Sequence, residues 1–220
     1  MKIKVMKIIF SDLNLKVRDT PKLRGAVASK FPGYSLLHHH IEKNLLLYRY
    51  PKIQYKIVNG SSMIIGIKEG IDILKSVYSE MGELQLSSFE TKVQSEIEIK
   101  VVDQVFGDSE DLIEYRFATP WMALNQKNYE LFVSGNKESN DKLLKSILIG
   151  NILSLSKSLT YKIENRIHAK IKLTKSKANF KNNPMITFCG NFIVNFHIPN
   201  YLGLGKSVSR GFGTIKRVES

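Results

Sequence analysis

The chain has 220 residues, 33 Lys and Arg against 20 Asp and Glu, and so a formal charge of +13. Apolar residues make up 43% and charged residues 24%, which excludes intrinsic disorder, and a single cysteine, Cys189, excludes a disulfide framework or a Cys-rich zinc site. No run approaches the roughly 18 apolar residues of a membrane span, and lysines interrupt the N-terminal apolar pattern as no signal peptide allows, so a soluble, cytoplasmic protein that binds no membrane is expected. The excess positive charge favours polyanions, because neutralising phosphates releases condensed counterions.

In chain order, Met1–Phe10 alternates Ile3 and Val5, then Ile8 and Phe10, against lysines, and reads as a half-buried strand with an irregularity near Met6. Thr20-Pro21 starts a helix, with Thr as a cap and Pro where its missing N–H is not needed. Leu23, Ala26, Val27 and Phe31 share one face of that helix, and Pro32-Gly33 stops it. A loop with His38, His39 and His40 leads to strands at Lys52–Val58 and Met63–Ile67, joined by the hairpin signal Asn59-Gly60. A second helix carries Ile71, Leu74, Val77, Tyr78 and Met81, and Glu96–Val105 is a strand rich in Ile and Val. The order is β-α-β-β-α-β, the ferredoxin-like arrangement.

The second half reads similarly. Leu112–Trp121 is strand-like, Asp141–Leu155 is a strong amphipathic helix, and Ile167–Leu173, Met185–Phe188, Phe192–Ile198 and Gly213–Val218 are strand-like. No second crossing helix follows Ile198; a glycine-rich segment stands in its place. The fold class expected is therefore α+β with tandem ferredoxin-like domains, an N-terminal one over 1–106 and a C-terminal one over 107–220. The halves carry +5 and +8 respectively. Lys170 and Lys172 fall on one face of a strand, as either a solvated stripe or a surface for RNA.

The segment Gly203–Gly213 holds four glycines in eleven residues, with Lys206, Ser207 and Arg210 among them. Glycines let a backbone approach a ligand closely, and peptide N–H groups with two cations suit a phosphate backbone. The same composition also serves a tight turn feeding the last strand. It is not a nucleoside-triphosphate loop, because Asn200 stands where that pattern needs glycine, nor a dinucleotide loop, because Val208 does.

Pro199-Asn200-Tyr201-Leu202-Gly203-Leu204-Gly205, followed by Ser209-Arg210-Gly211-Phe212-Gly213, resembles the C-terminal signature of the CRISPR-associated endoribonucleases of the RAMP superfamily that process repeat RNA. Segments resembling the same family occur in order near the N-terminus: Leu36–His40, Tyr48–Pro51, Ile53–Lys56 and Ile65–Gly70. The resemblance implies metal-independent cleavage of repeat RNA into guide RNAs, with glycine-loop contacts from Gly203, Gly205, Lys206, Ser207, Arg210, Gly211 and Gly213. The implied partner is single-stranded or hairpin repeat RNA, with effector-complex subunits and a second copy of the chain as further candidates.

In an extended loop His38 and His40 point to one side. Imidazole titrates near pH ~6.5, so one ring can accept a proton while another donates one, as RNA transesterification requires. The rings also suit a metal, but no further ligand set lies close by in sequence, and neither metal nor other cofactor is invoked. Lys30, seven residues after Leu23 on the apolar stripe, is the candidate for stabilising charge on the phosphorane; its bland role is to complement the helix C-terminus. Tyr48 is carried over as a residue that orients a histidine or phosphate, or simply packs. A second reading is a non-catalytic RAMP subunit that clamps RNA in an effector complex.

Overall fold

A computed structural model describes residues 1–38, 50–84, 93–180 and 183–219. The chain folds into two compact units. The N-terminal unit comprises Lys2–Gln104 and, from far along the chain, Ser209–Gly211; the C-terminal unit comprises Met1, Val105–Val208 and the residues from Phe212 on.

In the N-terminal unit, β1 (Lys2–Phe10) leads through a 3-10 turn to α1 (Thr20–Lys30) and the short α2 (Ser35–His38). Then come the hairpin β2 (Ile53–Val58) and β3 (Ser61–Ile67), α3 (Glu69–Val77), the two-residue strands β4 (Glu83–Leu84) and β5 (Val93–Gln94), and β6 (Ile97–Val105). The sheet order β2-β3-β1-β6 is the ferredoxin-like order. Asn59 and Gly60 both have positive φ, 51° and 81°, as the hairpin signal requires. Met6, Ile8 and Phe10 of β1, Ile53, Tyr55 and Ile57 of β2, and Ile64 of β3 form one core with Leu23 and Val27 of α1 and Leu74 and Val77 of α3.

The irregularity expected near Met6 is not a break in pairing. β1 and β3 stay in uninterrupted register from Val5↔Ile67 to Phe10↔Ser62. Val5 and Met6 are both buried because both faces of the sheet are covered, as they are throughout β2. This places Gln54 and Lys56, on the face opposite the helices, at 0% exposure.

Burial pushes the Lys56 amine down from 10.5 to about 7. A depressed lysine releases its proton earlier in the folded than in the unfolded chain. Between pH 7 and 10.5 the unfolded chain therefore binds more protons, and stability rises with pH. The gain through this window is expected to reach as much as ~5 kcal/mol, from 1.36 kcal/mol per pH unit. Urea unfolding at pH 6.5, 8 and 9.5 is expected to show the rise in the wild type and a flatter profile in Lys56→Met. Parallel profiles in the two proteins would contradict it.

The C-terminal unit is built from β7 (Gly107–Trp121), α4 (Gln126–Ser134), α5 (Lys137–Ser158), β8 (Ala169–Phe180), β9 (Asn183–His197) and β10 (Ile215–Arg217). Its order, β10-β7-β9-β8, is again ferredoxin-like. Where the second crossing helix of that arrangement belongs, the described residues form the glycine-rich loop with one 3-10 turn, Val208–Arg210, as the sequence leads one to expect. Asn136 caps α5 by accepting from the Ser139 N–H at 2.9 Å, and Leu144, Leu148, Ile152 and Leu155 form its buried stripe.

Two features depart from the sequence reading. Met185–Phe188 and Phe192–Ile198 are parts of one strand, which runs through Gly190 at φ 127° and pairs with β8 from Ala169↔Val194 to Phe180↔Asn183. α4 escapes detection because it has no buried residue: Tyr129, Leu131 and Val133 are all exposed. No helix among the described residues is long and apolar enough to cross a membrane.

Candidate functional site

The residues leading to the histidines are tied to the core of the N-terminal unit. Phe31, 6% exposed, closes α1, and the Tyr34 and Leu37 N–H groups donate to the carbonyls of Phe31 and Tyr34 at 3.3 and 3.0 Å. Leu37 is fully buried, and its carbonyl accepts the Tyr55 hydroxyl at 3.3 Å. His38, expected in an extended loop, is instead the last residue of α2. The chain is thus anchored to the core as far as Leu37. His39, His40 and Tyr48, together with the His38 side chain, lie outside the described residues.

Lys30 sits at the last position of α1, where a cation complements the helix dipole. Its Nζ donates to the Glu83 carbonyl at 2.7 Å and lies 6.0 Å from the Phe31 ring centroid. The side chain therefore turns across the helix end toward β4, with its amine at the surface.

The glycine-rich loop begins within the C-terminal unit. Leu204 and Gly213 are held together by the Leu204 N–H donating to the Gly213 carbonyl at 2.9 Å; the N–H groups of Lys206 and Gly213 donate to the carbonyls of Met122 and Pro120, each also at 2.9 Å. These three amides are engaged within the protein. Lys206 and Ser207 are half-buried, and burial lowers the Lys206 pKa. Gly205 lies over Trp121, which is fully buried and donates from Nε1 to Asn151 Oδ1 at 3.1 Å.

The middle of the loop belongs to the N-terminal unit. Gly211, at φ 90°, comes so close to Thr20 that a Cβ there would stand 2.9 Å from Thr20 Cγ2. Thr20 is buried and donates from its hydroxyl to the Val17 carbonyl at 2.7 Å. A glycine is needed here both for the contact and for the backbone angle.

This docking sets Arg210 beside the start of α1. Arg24 is one turn beyond Thr20, and its pKa is lowered by burial and then by the Arg210 charge, with Tyr55 acting in the opposite sense. Two guanidinium groups from opposite ends of the chain thus share one neighbourhood, next to the tyrosine that anchors Leu37. Such a pair suits a phosphodiester, which guanidinium binds with paired donors. Arg24 escaped the sequence reading because it looks like an ordinary polar-face residue. The one signal was its i, i+4 spacing from Thr20, which places both on one side of the helix.

In the C-terminal unit Lys170 and Lys172 are exposed and occupy alternate positions of β8, opposite Ile193 and Asn191 of β9. The buried core-facing row beside them, Phe192 and Val194, pairs with Ile171 and Ala169. The two lysines accordingly lie on the face away from the core. His168 is exposed, and His197 has its pKa lowered by burial and by Arg217.

Two family models match the chain in succession. The model of the Cas6b N-terminal domain matches residues 1–103, and that of the Cas6b C-terminal domain matches 107–218. The chain belongs to the Cas6b family. A solved Cas6b structure superposes with a TM-score of 0.93 at 41% identity, covering 99% of this chain and 100% of the other. A solved CRISPR RNA processing endoribonuclease Cas6b superposes with a TM-score of 0.81 at 40% identity, again over 99% and 100%. An uncharacterized protein of Methanocaldococcus jannaschii is 42% identical over 146 residues, 63% of this chain and 99% of that protein. Membership in the Cas6b family accords with the tandem ferredoxin-like architecture.

Proposed function

We propose that this chain is an endoribonuclease that cuts CRISPR repeat RNA without a metal ion. The observation that carries the reading is its 40% identity, over the full length of both chains, to a CRISPR RNA processing endoribonuclease Cas6b. In the reaction proposed, one imidazole of the His38 and His40 pair takes the proton of a ribose 2′-hydroxyl. The 2′-oxygen forms a bond to the adjacent phosphorus, and the P–O5′ bond breaks. The other imidazole, protonated beforehand, gives its proton to the departing 5′-oxygen. The products are a 2′,3′-cyclic phosphate and a 5′-hydroxyl end.

Charge gathers on the phosphoryl oxygens in the transition state, and Lys30 is assigned to stabilise it. Tyr48 is assigned to orient a histidine or the phosphate. Arg24 and Arg210 hold the flanking backbone, with Lys206, Ser207 and the loop glycines Gly203, Gly205, Gly211 and Gly213 giving the loop its shape and donors.

Purified protein incubated with repeat RNA in excess EDTA is expected to cleave it at the rate seen without chelator. A 2′-deoxy substitution at the scissile nucleotide is expected to stop cleavage and leave the binding affinity within about threefold. Intact RNA across several repeats would overturn the enzymatic reading in favour of a non-catalytic RNA clamp. Cutting of the deoxy substrate would remove the 2′-hydroxyl as nucleophile.

A further inference from the structure

The registers of the C-terminal sheet bring one residue from each strand into a single transverse row. Lys216 of β10 faces Arg116 of β7, Arg116 faces Asn191 of β9, and Asn191 faces Lys172 of β8. Their neighbours Ile215, Phe117 and Phe192 are buried in the core, so the alternation of strand side chains turns the whole row to the other face. Four strands at a spacing of ~4.8 Å make a row of ~14 Å. At its β10 end the surface is concave: a groove of about 260 Å³ is lined by Arg116, Asn191, Lys216, Arg217, Val218 and Glu219.

We infer that this face is a further track for RNA, with the groove at β10 holding one phosphate and its ribose. The inference rests on the proposed RNA substrate and extends it to Arg116, Lys216 and Arg217. Three observations favour RNA over an acidic protein surface. Four cations, Lys170, Lys172, Arg116 and Lys216, are arranged along and across the strands on this face, which suits a linear polyanion. The groove falls just below the ~300 Å³ at which small-ligand pockets begin, so it fits a unit of a strand better than a free ligand. Asn191 Nδ2 donates to Glu114 Oε1 at 2.7 Å. This bond fixes the amide with its oxygen turned away from Glu114, as an acceptor for a ribose 2′-hydroxyl, the group that distinguishes RNA from DNA. Glu219 is the acidic member of the lining.

The test measures binding of a repeat RNA with a single 2′-deoxy substitution at the scissile nucleotide, which keeps every phosphate and all other 2′-hydroxyls and blocks 2′-oxygen attack. The double variant Arg116→Gln with Lys216→Gln is expected to weaken binding about tenfold at 0.15 M salt. Its log–log salt slope should fall by ~1.4–1.8 in magnitude, for two phosphate contacts at ~0.7–0.9 each. Single-turnover cleavage of unmodified RNA at saturating protein should stay within twofold of wild type, and the melting temperature should hold. An unchanged salt slope overturns the inference, as does an unchanged affinity. A loss of saturated cleavage rate with normal slope also overturns it, by placing these residues in the reaction. Wild-type protein that binds with the expected slope but never cleaves would sink the enzymatic reading and leave the track standing.

Discussion

Replacing His38 and His40 together by alanine is expected to lower single-turnover cleavage of repeat RNA by at least ~10³-fold, since positioned acid–base groups contribute 10²–10⁴ each. Affinity for the RNA with a 2′-deoxy scissile nucleotide should remain within about threefold, because the proposed phosphate contacts come from other side chains. The variant is expected to fold, since Leu37, the residue that fixes the segment, keeps its buried position and its bond to Tyr55. The single variants should each lose most of the activity rather than half of it, as paired groups act as a unit. Unchanged cleavage by the double variant would leave the chain as a clamp with no part in bond breaking.

The largest structural effect is expected at Gly213. Its φ of 62° lies in the left-handed region, which costs an L-residue about 1–2 kcal/mol. A Cβ there would also run into the Leu204 carbonyl, at the bond that closes the base of the glycine-rich loop, and overpacking of this kind costs ~1–3 kcal/mol. Gly213→Ala is therefore expected to destabilise the protein by about 3 kcal/mol, or ~6–12 °C in Tm at 2–4 °C per kcal/mol. Gly150 provides the contrast. It is exposed in α5, with nothing within 4 Å of a built Cβ. Gly150→Ala should stabilise by ~0.5–1 kcal/mol, because alanine loses less backbone entropy in a helix. Equal melting temperatures for the two variants would show that the loop closure carries no stability.

These cases also show how the two kinds of information divide. Alternation in β1, the Asn59-Gly60 turn, the stripe of α5 and the histidine pair are patterns among residues close in the chain, so periodicity and turn chemistry alone expose them. The missing second helix of the C-terminal unit was legible for the same reason: four glycines cannot sustain a helix. Tertiary structure decided what depends on partners distant in sequence. Lys56 reads as the polar side of an alternating strand, yet it is fully buried because both faces of its sheet are covered. Gly190 reads as a break, yet the strand continues because β8 pairs through it. Arg24 gains its neighbour Arg210 only when Gly211 docks on Thr20, and the row of Lys216, Arg116, Asn191 and Lys172 exists only once four strands fix their registers. Local backbone preference is written residue by residue, whereas burial and juxtaposition arise from packing between segments, and the candidate site draws on both.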